Sequence, residues 1–419
     1  MRPSSQPPAL LLLPMPPLHG LRILDLSRIL AGPWATQLLA DLGAEVWKIE
    51  KPGTGDDTRA WGPPWLGGEG GESAYFLSCN RGKRSLAIDF TVPAGAALVR
   101  ALAGKADVLV ENFKVGGLAR HGLDWPALQA LNPRLVYCSI TGYGQDGPYA
   151  QRAGYDAAIQ AQGGLMSLTG VADGEPGAGP QKVGVAVTDL MTGMYAATGI
   201  LAALRHAQVT GQGQRIDLAL LDTQVAALAN QALNYLVSGE APPRLGSAHP
   251  NIVPYQTFAA ADGYFMLAVG NDSQFRRLCE VIDAPALAAD PRFSDNAARV
   301  ASRTALLTEL APRLAARPMA YWLDRLQAAG VPCAPVHSLA QVFADPQVRA
   351  RGLRFELNGA HGIPLPQVAN PLRLSATPVA YRYAPPALGA DTAAVLREVL
   401  GYGPETLDRL RIEGAIQFQ

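Results

Sequence analysis

Short apolar strands alternate with helical segments over the first 150 residues, and this alternation constrains the fold more than any other feature. Apolar, β-branched runs predict strands at 21–27, 45–51, 107–113 and 135–141. Apolar residues at helical spacing predict the intervening helices at 31–42, 93–103 and 125–131. Units of this kind form parallel sheets, and ligands bind beyond the carboxyl ends of the strands. We therefore predict a doubly wound α/β domain.

The pattern changes after residue 235, where a hairpin signal at Asp262-Gly263 is followed by several helices. We predict a large α/β domain at 19–235, a smaller α+β domain inserted at 236–330, and a return to the large domain at 331–419 that begins with a strand near 332–336. The apolar run at 9–13 is too short for a signal peptide or a membrane helix. Residues 1–18 are therefore predicted to be a disordered leader.

Composition excludes several classes of protein. The 419 residues include 35 basic and 35 acidic side chains, so no basic surface for nucleic acid is expected. The four cysteines are far apart and lack the spacing of a metal site. We expect a cytoplasmic protein that has reduced thiols, holds no metal and has neither a membrane nor nucleic acid as a partner.

Standard nucleotide and hydrolase motifs are absent: there is no GxGxxG after the first strand, no GxxxxGK[ST] and no GxSxG. The cations of NRGKR at 80–84 suit either phosphate binding or structural roles. Asp189 begins a predicted helix, where it is either an N-cap or a nucleophile whose pKa the helix end lowers. Gly163-Gly164 is either a packing site or a site of close backbone approach with N–H groups facing a developing oxyanion. These patterns alone indicate an α/β enzyme of unknown chemistry.

Several sequence segments, taken together, resemble a known protein family, although no single segment would be specific enough. They include LRILDLSRILAGPWATQLLADLGAEVWKIEKPGTGDDTR, NRGKRSLAIDF, DVLVENFKVGGLARHGL and GVAVTDLMTGMYAATGILAAL. From about residue 19 to 415 the chain resembles the class III CoA-transferase family, which includes formyl-CoA transferase, carnitine CoA-transferase and 2-methylacyl-CoA racemase. The strings DDTRAWGPPW, QRAGYD and SAHPNIVPYQTF look most like the branch that moves CoA from succinyl-CoA to glutarate.

The resemblance implies an interlocked homodimer that acts on acyl-CoA and carboxylic acids, with coenzyme A as a substrate and no cofactor. It assigns the catalytic carboxylate to Asp189, in the pattern G-x-x-x-x-D from Gly184. It also implies the following substrate- and CoA-binding residues: Leu30, Ala31, Lys51, Arg59, Ile88, Asn112, Phe113, Arg120, Tyr155, Asp156, Gly163 and Gly164. For the second carboxylate of a dicarboxylate substrate, it offers Arg28, Arg59, Arg152 and His249.

Tyr155 bears on the alternative activities. The racemase branch has a histidine in a Gly-His-Asp motif, whereas this chain has Gly154-Tyr155-Asp156. A phenol with a pKa of about 10 is a poor general base at neutral pH, which favours the transferase. A 2-methylacyl-CoA racemase and a non-enzymatic acyl-CoA-binding protein remain the alternatives.

Overall fold

The computed structural model describes residues 15–359 and 362–418. The strands in these residues are β1 (Arg22–Asp25), β2 (Glu45–Glu50), β3 (Trp65–Leu66), β4 (Glu72–Ser73), β5 (Lys83–Ile88), β6 (Val108–Glu111), β7 (Val136–Thr141), β8 (Gly170–Val171), β9 (Gly179–Pro180), β10 (Arg215–Ala219), β11 (Tyr255–Ala260), β12 (Gly263–Ala268), β13 (Cys333–Pro335), β14 (Arg354–Asn358), β15 (Pro364–Val368) and β16 (Ile416–Gln417). The α-helices in these residues are α1 (Ala31–Asp41), α2 (Ala74–Cys79), α3 (Pro93–Ala103), α4 (Trp125–Leu131), α5 (Asp156–Gln162), α6 (Leu165–Leu168), α7 (Val187–Thr210), α8 (Leu220–Ala227), α9 (Ala229–Ser238), α10 (Asp272–Val281), α11 (Pro285–Ala289), α12 (Asn296–Ala301), α13 (Arg303–Ala315), α14 (Met319–Ala328), α15 (Leu339–Ala344), α16 (Pro346–Ala350), α17 (Thr392–Leu400) and α18 (Pro404–Ile412).

The described residues divide into two compact units. The first unit contains residues 15–163, 184–229 and 350–418 apart from 360 and 361, and the second contains residues 164–183 and 230–349. The unit boundaries therefore differ from the predicted domain limits. The second unit takes in residues 164–183 and continues to 349, whereas we predicted a small domain at 236–330.

A mostly parallel sheet forms the centre of the first unit. Its strand order is β10-β7-β6-β1-β2-β5-β16, and only the short terminal strand β16 is antiparallel to its neighbour. The prediction of an α/β fold with a mostly parallel sheet is confirmed. The sequence analysis had not identified β5, because its Lys-Arg-Ser start interrupts the apolar pattern.

Alternate residues along the strands pack against helices on the two faces of this sheet. Ile23 and Val46 join the cluster with α1 and α7, whereas Leu24 and Trp47 join the cluster with α3, α17 and α18. Successive side chains of a strand point to opposite faces, so a strand covered on both sides becomes apolar throughout. This explains why the continuous apolar runs predicted the doubly wound arrangement.

The second unit contains an antiparallel sheet of β11, β12 and β13. Strands β11 and β12 form the hairpin expected at Asp262-Gly263. The strand predicted near 332–336 exists as β13, but it pairs with β12. The prediction that the chain returns to the large domain at 331 was therefore wrong, and the return comes at about residue 350.

The predicted disordered leader falls only partly within the described residues. Residues 1–14 lie outside them, while residues 15–18 are included. The backbone N–H of Leu18 donates to the carbonyl of Leu42 at 3.1 Å, and the Leu18 side chain packs against the core. The expectation of disorder was wrong for residues 15–18, because these contacts attach them to the first unit.

Helix α7 is long and apolar enough to cross a bilayer by length and composition, a feature that the sequence analysis overlooked. A core helix of a soluble protein passes the same test. The buried residues of α7 include Ala196 and Ile200, which pack in the same cluster as residues of α1. This contact gives α7 a place in the protein core, and its first turn carries Asp189.

Candidate active site

A cavity of about 1000 Å³ lies in the first unit, at the carboxyl ends of its parallel strands. Its walls come from the segments that follow β1, β2, β5, β6 and β7, together with the start of α5 and the first turn of α7. This is the position at which open α/β sheets bind ligands. The cavity therefore collects residues that are far apart in the sequence.

Most of the predicted site residues line this cavity. The lining includes Leu30, Ala31, Lys51, Ile88, Asn112, Phe113, Arg120, Tyr155, Asp156 and Asp189. Arg59 and Gly163 belong to the first unit but are not part of the lining, and Gly164 falls in the second unit.

Asp189 is a helical residue of α7 and does not cap the helix. The N-cap position is Ala186, which has no side-chain cap. Instead, Oδ1 of Asp156 accepts from the backbone N–H groups of Thr188 at 2.9 Å and Asp189 at 3.1 Å. A carboxylate on α5 thus satisfies the exposed donors of α7. Within the described residues the Asp189 carboxylate makes no hydrogen bond or ion pair and is left free for a ligand.

Burial raises the pKa of Asp189 to about 7, and the neighbouring charge of Asp156 adds to the effect. The expectation that the helix end lowers this pKa was therefore wrong. Desolvation and a like charge both disfavour the ionised form, and together they outweigh the helix dipole. A carboxyl group with a pKa near neutrality is a stronger base than an ordinary aspartate while remaining largely ionised above pH 7.

Tyr75 is a functional candidate that the sequence analysis missed. Burial raises its pKa to about 12, and the charges of Asp189 and Asp156 contribute to the shift. Its hydroxyl group is consequently protonated near both carboxylates. Tyr75 lies on the short helix α2, far from Asp189 in sequence, so no spacing pattern could have identified it. Tyr155, by contrast, is a cavity residue with a side chain that is 68% exposed.

The loop after β1 is held by side chains from three directions. Asn112 accepts from the N–H of Arg28 at 2.9 Å and donates to its carbonyl at 2.7 Å. Asp56 accepts from the N–H of Ile29 at 3.3 Å, and the buried Lys48 donates to the carbonyl of Ser27 at 3.0 Å. Ile29 has a φ of 71°, which is rare for a β-branched residue and persists only where surrounding contacts enforce it. Asn112 therefore positions this cavity wall as well as lining the cavity.

Four cations at the cavity have no carboxylate partner among residues 15–359 and 362–418: Lys51, Lys114, Arg120 and Arg152. All four side chains belong to exposed residues. Arg28 also lines the cavity, but it pairs with Asp57 at 2.9 Å. Unpaired cations around a concave surface favour a polyanionic ligand such as one that carries phosphates.

Other predicted cations are structural. Arg59 makes two hydrogen bonds of 2.7 Å to Glu50 and lies over the ring of Phe76 at 3.7 Å. This pairing argues against Arg59 as a substrate ligand. Of the NRGKR cluster, Arg81 pairs with Asp41 and Lys83 pairs with Asp25 inside the protein, and Arg84 pairs with Glu398. The possible role of this cluster in phosphate binding is therefore not supported.

The structure does not support a role for the two glycines after α5, Gly163 and Gly164, as oxyanion donors. The N–H of Gly163 already donates to the carbonyl of Ile159 at 2.7 Å. A Cβ added at Gly163 would lie 2.5 Å from the Gln224 side chain, so close packing requires glycine there. Gly164 has a φ of 87°, which glycine adopts without strain. Among the described residues, no group of three or more His, Cys, Asp or Glu side chains could hold a metal ion.

Comparison with known proteins identifies the family. The model for CoA-transferase family III matches residues 18–392. The chain is 50% identical over 397 residues to a succinate–glutarate CoA-transferase of Agrobacterium fabrum, covering 94% of this chain and 97% of that protein. It is 44% identical over 407 residues to a succinyl-CoA:glutarate CoA-transferase of Mus musculus, covering 96% and 91%. The crystal structure of a CAIB/BAIF family protein from Brucella suis has 49% identity and a TM-score of 0.81, covering 92% of this chain and 99% of that one. This chain therefore belongs to CoA-transferase family III.

Proposed function

We propose that this protein transfers CoA from succinyl-CoA to glutarate and that Asp189 carries the intermediates covalently. The substrates are those named for the Agrobacterium and mouse relatives. The observation that carries the assignment of Asp189 is its carboxylate, which has a raised pKa and no hydrogen-bond or ion-pair partner within the described residues, in a cavity bordered by cations that lack a carboxylate partner there. The same cavity is proposed as the CoA site.

The reaction proceeds in two matched halves. The Asp189 carboxylate attacks the succinyl thioester carbon, and the C–S bond breaks to give a mixed anhydride and CoA thiolate. The thiolate attacks the aspartyl carbonyl carbon, which releases succinate and leaves an aspartyl–CoA thioester. Glutarate attacks this thioester and displaces the thiolate, which then attacks the glutaryl carbonyl of the new anhydride. Glutaryl-CoA leaves and the Asp189 carboxylate is restored, so the thioester energy is conserved without ATP or a metal.

Negative charge develops on oxygen during each of these attacks, and backbone donors at the cavity that Asp189 lines would stabilise it. Leu30 is the N-cap residue of helix α1, and Ala31 and Gly32 are its first two residues. The N–H groups of these three residues have no hydrogen-bond acceptor within the described residues. All three residues are buried. These donors replace Gly163-Gly164 as the proposed oxyanion site, because the N–H of Gly163 already donates to Ile159 and Gly164 belongs to the second unit.

The second carboxylate of the dicarboxylate substrate needs a cation. Arg28 and Arg152 line the cavity, Arg59 is paired with Glu50, and His249 belongs to the second unit. Arg28 already pairs with Asp57, whereas the guanidinium of Arg152 lies over the ring of Tyr149 at 3.9 Å and has no carboxylate partner among the described residues. We therefore propose Arg152 as the cation for the spare carboxylate.

We further propose that the active protein is an interlocked cytoplasmic homodimer. Met194 and Tyr195 on α7 are each 50% exposed, which leaves apolar surface for a second subunit to cover. Light scattering should give twice the mass of one chain, and a monomeric mass would contradict this assignment.

Trapping the intermediates tests the role of Asp189. Incubation with succinyl-CoA followed by hydroxylamine should modify Asp189, and peptide mass spectrometry should find the change at that residue. Asp189→Asn should abolish both the modification and transfer to glutarate while CoA still binds. The matched control is Asp222→Asn, an exposed carboxylate of α8 outside the cavity lining. Substantial turnover by the Asp189 variant would refute the covalent mechanism.

A further inference from the structure

One corner of the cavity contains a histidine that the proposed mechanism does not use. His121 ends a short 3-10 helix, Ala119–His121, and both it and Arg120 line the cavity. The Nε–H of Arg120 donates to Nε2 of His121 at 3.0 Å. Nε2 is therefore an acceptor, and the neutral ring carries its proton on Nδ1. The Nε2 acceptor of His121 therefore occupies a donor of the Arg120 guanidinium that an anionic ligand could otherwise use.

The surroundings of His121 fix its position and control its charge. Its ring packs edge-on against Phe90 with centroids 5.6 Å apart, and its carbonyl accepts from Arg100 of α3 at 2.7 Å. Burial lowers the pKa of His121, the charge of Arg120 lowers it further, and Asp89, beside Phe90, raises it. In the free protein burial and Arg120 favour neutral imidazole over the opposing effect of Asp89, and a proton on Nε2 would break the hydrogen bond from Arg120.

We propose that His121 and Arg120 together bind a phosphate group of the CoA substrate and that His121 takes up a proton when this phosphate binds. The inference rests on the proposed assignment of the cavity as the CoA site. A phosphate placed between the two side chains would accept from the Arg120 guanidinium, and its negative charge would favour a proton on Nε2. Protonated Nε2 of His121 would then donate to the phosphate, as Arg120 does. The negative charge of the phosphate would offset the repulsion between the imidazolium and the guanidinium.

If binding is coupled to protonation of His121, the affinity for CoA must change with pH in a defined direction. A ligand that favours the charged form of His121 must bind more tightly as pH falls through the range in which the imidazole titrates. If the phosphate raises the pKa of His121 by about one unit, proton uptake should reach about half a proton per subunit near the midpoint. On going from pH 8 to pH 6, the affinity for CoA should rise more than that of a variant without a titrating side chain, by at most about the tenfold that a one-unit pKa shift allows.

Calorimetric titration of the full-length protein with CoA tests this directly. Measurements at pH 6, 7 and 8 in two buffers with different ionisation enthalpies give the number of protons taken up. The wild-type protein should take up more protons than His121→Gln, whose amide can still accept from Arg120 but cannot titrate. His121→Asn provides a second non-titrating variant, and His19→Gln is the matched control because His19 is exposed and absent from the cavity lining.

Dephospho-CoA identifies which phosphate is bound. Loss of the His121-dependent proton uptake with this ligand assigns the contact to the 3′-phosphate, and its retention assigns the contact to the pyrophosphate. Equal proton uptake and equal pH dependence in the wild-type protein and His121→Gln would overturn this inference alone. Failure of the wild-type protein to bind CoA at any pH would overturn the assignment of the cavity as well.

Discussion

Replacing the catalytic carboxyl group should stabilise the folded protein in a pH-dependent way. In Asp189→Asn an uncharged amide replaces a carboxyl group that burial and Asp156 resist ionising. The ordinary pKa of aspartate is 3.8, and the folded protein raises the pKa of Asp189 to about 7. Folding therefore opposes ionisation of this group, and the variant removes that opposition.

The size of the effect follows from the shift, which is about three pKa units. Each unit corresponds to about 1.4 kcal/mol, which gives an upper limit of about 4 kcal/mol. Water reaches part of the Asp189 side chain, so screening reduces the expected value to about 2–4 kcal/mol. Because the pKa is raised, the wild-type protein is less stable to unfolding at high pH. The stability associated with the neutral group is fully present below pH 3.8 and is lost as pH rises to about 7.

Thermal unfolding from pH 4 to pH 9 tests this reasoning, because it compares the variant with the wild-type protein at each pH. The melting temperature of Asp189→Asn relative to wild type should increase between pH 4 and pH 7 and level off above that range. Any constant cost of burying the amide cancels in this comparison. Asp222→Asn should show a flat difference over the same range. A flat difference for Asp189→Asn would refute the raised pKa and the electrostatic reasoning built on it.

Two further predictions concern the neighbours of Asp189. Asp156→Asn keeps an oxygen that can accept from the N–H groups of Thr188 and Asp189 but removes the charge. The acid limb of kcat/KM, where activity falls as Asp189 becomes protonated, should therefore move about one pH unit lower, and an unchanged midpoint would contradict the coupling. Arg152→Gln should raise KM for glutarate about tenfold while leaving a monocarboxylate acceptor such as pentanoate unaffected, as expected from loss of one charge-assisted hydrogen bond. Equal losses for both acceptors would exclude Arg152 as the dicarboxylate ligand.

Local sequence patterns predicted the large unit well because they record which faces are buried. Strands β1, β2, β6 and β7 lie within the predicted runs, and α3 spans 93–103 as predicted. The small unit was harder, since a short strand such as β13 has no preference for one sheet over another. Its partner was decided by hydrogen bonds to β12, about 70 residues earlier.

The sequence by itself determined the layered α/β architecture, the edge of the sheet at which the cavity forms and the family motifs that mark Asp189. Only the tertiary structure decided the electrostatic state of the site. Asp156 on α5 accepts from the backbone N–H of Asp189, and the charge of Asp189 helps to raise the pKa of Tyr75 on α2. Glu50 pairs with Arg59 and Asp41 pairs with Arg81, two arginines that the local sequence presents as possible ligands. Periodicity is a property of neighbouring residues, whereas the pKa of a carboxyl group depends on burial and on charges that folding brings near it.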